Sequence, residues 1–392
     1  MKLRVGNPFA TTRGAVITAA VAVIAAAGIV AGVLLSGSPR PAITTTPPTT
    51  AGPAPTRPSV PPRPVRAVHP PRTTTTTVPH RHRPQLPKGM QVAPLTGWLV
   101  PAAVARRPAV VIKIDNISQA LPQTGVNQAD VVYEELVEGG LTRLAAVYQS
   151  DYPSRVEPVR SGRLTDEGIA DDLNHPVLAY AGTNGIFAPI LAAQPLDNIS
   201  MAAHPGLFSR DPNRLAPHNV YVSVPALAAT DHPAGPPPGG LFAWRKPGTP
   251  LQGAGVQPAA QASIPFPAAA IRWSWDPATK RWLRTQDGAP DCDTSGARLS
   301  ASNVLIQFLP YVTSAYATGE GLPPTPIPKG KMVGKGSAWL LSGGALVKGT
   351  WSRRSLISPT VYRDGAGQPF RLAPGRTWIE LPPDGTKITV IR

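Results

Sequence analysis

The chain has 392 residues, with 38 Lys and Arg against 22 Asp and Glu, and a formal net charge of +16. The excess is unevenly placed: residues 1–89 carry eleven Lys or Arg and no acid, which leaves +5 for the remainder, where all 22 acids lie. The basic balance belongs to a leader and spacer rather than to a folded surface, so it gives no support to a nucleic-acid partner, and none is expected.

Lys2, Arg4 and Arg13 precede an uncharged Ala/Val/Ile-rich run over residues 14–35. At 1.5 Å per residue this run spans about 30 Å, the thickness of a bilayer's hydrocarbon core. It exceeds the roughly 7–15 apolar residues of a cleaved signal, and no convincing small-x-small cleavage site follows it. The expectation is a single-pass signal anchor with residues 1–13 in the cytoplasm and the bulk of the chain outside. Residues 36–93 are rich in Pro, Thr and Arg, as in TTTPPTTAGPAPTRPSVPPRPVR, and have little to bury. They read as a disordered, extended spacer, either a plain linker or a standoff through a wall-like layer. The lone Cys292 suits an exported chain without a disulfide framework.

Beyond the spacer, DHPAGPPPGG (231–240) is the clearest internal boundary. It separates an expected mixed α/β domain, residues 94–232, from a smaller, mainly β domain, residues 241–392. In the first, AVVIKID (109–115) predicts a buried strand ending on Asp115 and Asn116. VVYEELVEGGLTRLAAVYQS predicts a hairpin turning at Gly139-Gly140. A two-residue turn sets Leu136 opposite Arg143 and Glu134 opposite Ala145, so that Glu134, Glu138 and Arg143 share a face and Glu135 takes the other. Thr165 starts a helix towards Leu173, HPVLAYAG is a strand, and Ser223 caps a short helix. The second domain holds alternating or apolar runs such as AAIRWSW, KRWLRTQ, SNVLIQFLPYV, SAWLLSGG, ALVKGTW and RTWIELP. They predict antiparallel strands, with Trp244, Trp273, Trp275, Trp282, Trp339, Trp351 and Trp378 either packing a core or forming a sugar-stacking platform.

Three clusters carry candidate chemistry. Glu134 and Glu138 near Arg143 suit either an acid–base pair or a salt-bridge cluster pinning the hairpin. PVRSGRLTDEG places Arg160, Ser161 and Arg163 before a helix start, a seat for phosphate or carboxylate unless Glu138, Asp166 or Asp115 already pairs there. SRDPNRLAPHNVY offers His218 and Asn219 at a site rim or, equally, turn-stabilising bonds from Asp211 and Asn219. G-x-S-x-G, Walker A and strand-borne G-x-G-x-x-G motifs are absent from the sequence, Asp171 and His175 make at best part of a metal site, and no cofactor is called for.

With these residues in view, the chain resembles the YerB-like family of bacterial envelope proteins, whose domain is named as one of unknown function. The resemblance runs through RPAVVIKIDN, ALPQTGVNQADVVYEELVEGGLTR, EPVRSGR and APHNVY, and resumes at SNVLIQ, KGTWSR and APGRTWIELP. It implies a larger N-terminal and a smaller C-terminal domain outside the membrane. Many members are lipoproteins, whereas this chain has no lipid-attachment cysteine near its leader. The family supplies no catalytic residues to carry over. The leading expectation is a membrane-anchored extracytoplasmic protein whose cleft, lined by Asp115, Asn116, Glu138, Arg143, Arg160, Ser161, Arg163, His218 and Asn219, holds an anionic peptidoglycan fragment or phosphorylated wall polymer. The rivals are a wall hydrolase using Glu134, Glu138 or Asp115 with His218, and a scaffold for division or wall-synthesis proteins.

Overall fold

The computed structural model describes residues 86–230, 235–319 and 322–392. The expected anchor and nearly all of the expected spacer lie outside them. Among the described residues no helix is long and apolar enough to cross a membrane. The expected spacer ends early, because Met90–Val92 already pairs antiparallel with Leu99–Pro101.

The fold is mostly β. Among the described residues its α-helices are Ala102–Ala105, Thr165–Ala170, Ala188–Ala192 and Val224–Ala228, none longer than six residues. The expected interleaving of strands and helices in the first domain is present, with Thr165–Ala170 and Ala188–Ala192 between the parallel strands Val110–Asp115, Val177–Tyr180 and Asp197–Ser200, but the helices are so short that the fold is mainly β rather than mixed α/β. The helix start at Thr165 and the Ser223 cap do form, with Ser223 Oγ accepting from Ala226 N at 3.5 Å.

An eleven-stranded sheet runs through the molecule. Its spatial order is Gln257–Pro258, Ala345–Arg353, Gly334–Ser342, Asn303–Gln307, Thr377–Leu381, Val131–Leu136, Thr142–Tyr148, Val110–Asp115, Val177–Tyr180 and Asp197–Ser200, with Val361–Asp364 also on Ala345–Arg353. Strands from both sides of the 231–240 boundary therefore share one ladder. The seam is Thr377–Leu381, parallel to Asn303–Gln307 on one side and to Val131–Leu136 on the other. Those parallel pairs depart from the all-antiparallel expectation for the second half. They are possible because all three strands are buried throughout, as parallel pairing demands.

A second, six-stranded sheet of Gln261–Phe266, Ala269–Asp276, Arg281–Gln286 and three short neighbours covers one face of the large sheet. Between them Ile264, Phe266, Ile271, Trp273 and Trp282 pack with Val132, Leu144, Val304 and Trp378. The other face packs Val111, Val131, Tyr133, Leu305 and Ile379 against Ile169, Ala170 and Leu173. Trp273, Trp282, Trp351 and Trp378 are fully buried, so four of the seven expected aromatics are core.

The hairpin register differs from expectation by one residue. Leu136 pairs with Thr142, Glu135 with Arg143 and Glu134 with Leu144. The turn holds three residues, Glu138 to Gly140, closed by Val137 N to Leu141 O at 2.8 Å, with Gly139 at φ 69°. A one-residue slip reverses every facing. Glu135 and Arg143 thus share one face, and Glu134 points to the other.

Candidate functional site

Because Glu134 and Glu135 project from opposite faces, the hairpin feeds two separate charge clusters. The first is sealed between the sheets. Glu134 Oε2 receives Arg284 Nη2 at 2.7 Å, while its Oε1 accepts from Thr142 Oγ1 at 2.8 Å and Asn116 Nδ2 at 3.1 Å. Arg284 also binds Asp291 and donates to Gln286 Oε1 at 2.8 Å. Glu380 accepts from Trp273 Nε1 at 2.7 Å. Burial, reinforced by Glu134, holds Glu380 well above the usual carboxylate range. Burial alone would depress Arg284, but Glu134, Asp291 and Glu380 outweigh it and lock the guanidinium in its charged form.

The second cluster lies on the opposite face and opens to the edge. Asp115, at the end of the Val110–Asp115 strand, has Oδ2 at 2.7 Å from His218 Nδ1 and 2.9 Å from Arg160 Nε. Arg163 grips Glu138 with Nε to Oε2 at 2.9 Å and Nη2 to Oε1 at 2.7 Å. Arg143 reaches the Ser161 carbonyl at 3.4 Å and lies 4.0 Å from Glu138. Burial would raise Glu138, yet Arg163 and Arg143 together hold its carboxyl below the usual range. The Arg143 guanidinium is pushed down to about 10, by burial first and then by Arg163. Its Nε is buried without a hydrogen-bond partner.

Six expected residues therefore converge: Asp115, Glu138, Arg143, Arg160, Arg163 and His218, with Ser161 contributing backbone. Two do not. Asn116 turns inward, donating to Glu134 and Thr142 and accepting from Gln123 Nε2 at 2.9 Å. Asn219 is buried beside its own loop, accepting from Arg210 Nη1 at 2.8 Å. The expected anion seat at the helix start is also taken. Asp166, in the first turn, accepts Arg163 N at 2.7 Å and pairs with Lys113 at 2.8 Å. Lys113 and its second partner Glu135 are fully buried, and burial followed by Asp166 pushes Glu135 up to about 7.

Every carboxylate considered as an acid or base is held by a cation. Glu134 has Arg284, Glu138 has Arg163, and Asp115 has Arg160 and His218. Asp171 and His175 are not joined into a larger donor set; His175 lies 3.3 Å from Asp197, and among the described residues no group of three or more His, Cys, Asp or Glu gathers to hold a metal. Arg284 was legible in principle, since KRWLRTQ alternates it onto the same side as Trp282. Lys113 was too, as the only charge inside an otherwise apolar strand until Asp115.

Residues 95–235 match the family described as "Protein of unknown function (DUF3048) N-terminal domain", and residues 262–379 its partner, "Protein of unknown function (DUF3048) C-terminal domain". The chain is 26% identical over 305 residues to "Putative lipoprotein YerB" of Bacillus subtilis (strain 168), across 74% of this chain and 86% of that protein. The crystal structure of YerB protein from Bacillus subtilis aligns with a TM-score of 0.66 at 21% identity, over 77% of this chain and 100% of that one, a likeness of fold. The first matched segment supplies the Asp115 and Val131–Leu136 strands and the second reaches into the seam strand that pairs with Val131–Leu136, and the chain belongs to the YerB-like, two-domain DUF3048 family.

Proposed function

We propose that this protein is a membrane-anchored extracytoplasmic binding protein that takes an anionic cell-wall ligand, a peptidoglycan fragment or phosphorylated polymer, at the Arg143–Arg160–Arg163 rim. The apolar run at 14–35 and the lipoprotein name of the relative support the address. The observation that carries the ligand reading is the charge count at the rim. Three guanidiniums face two carboxylates, Asp115 and Glu138, and Arg143 keeps only a carbonyl at 3.4 Å and a carboxylate at 4.0 Å. Packing cations this closely is costly, and an incoming carboxylate or phosphate relieves it through charge-assisted, bidentate contacts. His218 and Asp115 would then orient the ligand. Acid–base hydrolysis through these carboxylates is disfavoured by the same geometry, because Glu134, Glu138 and Asp115 are each held by an arginine.

The test is retention of the full chain on isolated wall sacculi. Arg143→Gln/Arg160→Gln spares the Arg163–Glu138 pair, and its thermal midpoint serves as the folding control. Retention should fall at least fivefold at physiological salt. Equal retention of wild type and a folded double variant would overturn the reading.

A further inference from the structure

We infer that a second, separate pocket, around Trp98, Trp275, Arg245 and Arg281, binds a saccharide carrying an acidic group. The cavity holds about 530 Å³ and is lined from both halves of the sequence. That volume falls in the usual range for a small-molecule site, roughly 300–1,000 Å³. Trp98 is 46% exposed, in contrast to the four fully buried Trp residues of the core, and Trp275 is half-buried.

The charge here differs in kind from the rim. Arg245, Lys280 and Arg281 line the cavity and no acidic residue does. Arg245 donates only to neutral oxygens: Thr249 O at 2.9 Å, Arg371 O at 3.0 Å and Ser342 Oγ at 2.9 Å. Arg281 donates to Ser302 Oγ at 3.1 Å. The nearest acid in register, Asp276 opposite Arg281, spends its carboxylate on Thr279 Oγ1 at 2.6 Å and Ala278 N at 3.1 Å. Burial holds both guanidiniums below their ordinary range. Behind them Arg376 is pushed down to about 10, by burial and then by Arg281. Cations partly withdrawn from water and matched only by neutral acceptors favour an anion from outside.

Glycines in and beside the cavity make the approach possible. Gly343 and Gly344, with φ 65° and 73°, turn the hairpin between Gly334–Ser342 and Ala345–Arg353. A Cβ on Gly344 would stand 2.8 Å from Trp275 Nε1, and one on Gly375 only 2.1 Å from Ser302 Oγ. The bare backbone thus leaves the indoles and Ser302 at the cavity surface. An exposed indole face accepts the apolar C–H side of a sugar ring, while a guanidinium beside it pairs with a carboxylate or phosphate on that ring. Either group alone suits many ligands, and their juxtaposition selects a ring that carries an acid.

The full chain would be titrated by ligand-observed NMR with N-acetylmuramic acid and N-acetylglucosamine 6-phosphate, against N-acetylglucosamine and inorganic phosphate. At least one acidic sugar should bind tenfold or more tightly than both the neutral sugar and the bare anion, and which one binds distinguishes carboxylate from phosphate. Trp98→Ala, with an unchanged thermal midpoint, and Arg245→Gln/Arg281→Gln should each weaken it about tenfold. The rim variant Arg143→Gln/Arg160→Gln should leave it unchanged, so the two sites stand or fall independently. Absence of binding, equal binding of bare phosphate or neutral sugar, or indifference to Trp98→Ala would overturn the inference.

Discussion

On one side of the Val131–Leu136/Thr142–Tyr148 hairpin, Arg284 collects Glu134 and Asp291 where no solvent reaches. On the other side, at the edge, Arg143, Arg160 and Arg163 share Asp115 and Glu138. The residue types are the same, but the balance is opposite. Inside, acids outnumber the cation, and burial pushes one of them, Glu380, well above the usual carboxylate range. At the rim the cations outnumber the acids. A sealed cluster must settle its charge within the chain, and it serves to lock two sheets in register. An edge cluster can leave part of its charge for a partner.

The contrast is broken most directly at Arg284. Arg284→Met leaves Glu134 and Asp291 buried without their cation, a situation that costs about 3–5 kcal/mol. Urea unfolding should show that loss, and a loss below about 1 kcal/mol would mean that the inner cluster is not sealed. The double variant Arg143→Gln/Arg160→Gln should cost far less.

Acid probes a buried carboxylate outside both clusters, Asp172, and then Glu138 of the rim. Burial first, partly offset by Arg353, raises Asp172 to about 6 from an ordinary value of 3.8. Between those values the folded state holds a proton that the unfolded chain releases, so this group's contribution falls as pH rises from about 4 to 6. Asp172→Asn should remove a loss on the order of 2–3 kcal/mol across that window, at roughly 1.4 kcal/mol per pKa unit. The readout is the difference in urea stability between variant and wild type at pH 4 and pH 7. Glu138 runs the other way. Its folded value is lowered, so its contribution is present at neutral pH and lost in acid. A smaller effect is expected at Arg163→Gln, which breaks the two-point grip on Glu138 at the half-open edge and should cost about 1–2 kcal/mol.

Much of the strand inventory was legible, because runs such as VVIKID and TWIEL are buried on both faces and can be little else. The one sheet built across both halves was not. Parallel pairing of Thr377–Leu381 with Val131–Leu136 joins residues some 250 apart in sequence, and periodicity is blind to partners. The convergence of Asp115, Arg143, Arg160, Arg163 and His218 was anticipated from four separate segments. Their inward pairing was one of two open alternatives. The Trp98 pocket was missed, since Trp98 sits apart from the Trp-rich strands and its partners Arg245 and Arg281 lie about 150 and 180 residues further along the chain.

The division between the two clusters finally depends on a turn. EGG accommodates either two or three turn residues, and only the three-residue form sends Glu134 inward and Glu135 to Lys113. Gly139, at φ 69° with open space around a would-be Cβ, is strained only by its backbone. Gly140, at φ 76°, also has Pro267 Cβ at 2.7 Å from that position. Gly139→Ala should therefore cost about 1 kcal/mol and Gly139→Asn less, since Asn tolerates left-handed backbone. Gly140→Ala should cost more than either, through the added clash. Equal cost at the two glycines would point to a two-residue turn. In that register Glu134 would face the rim, Arg284 would lose its partner, and the separation of a sealed lock from an open edge would fail at its origin.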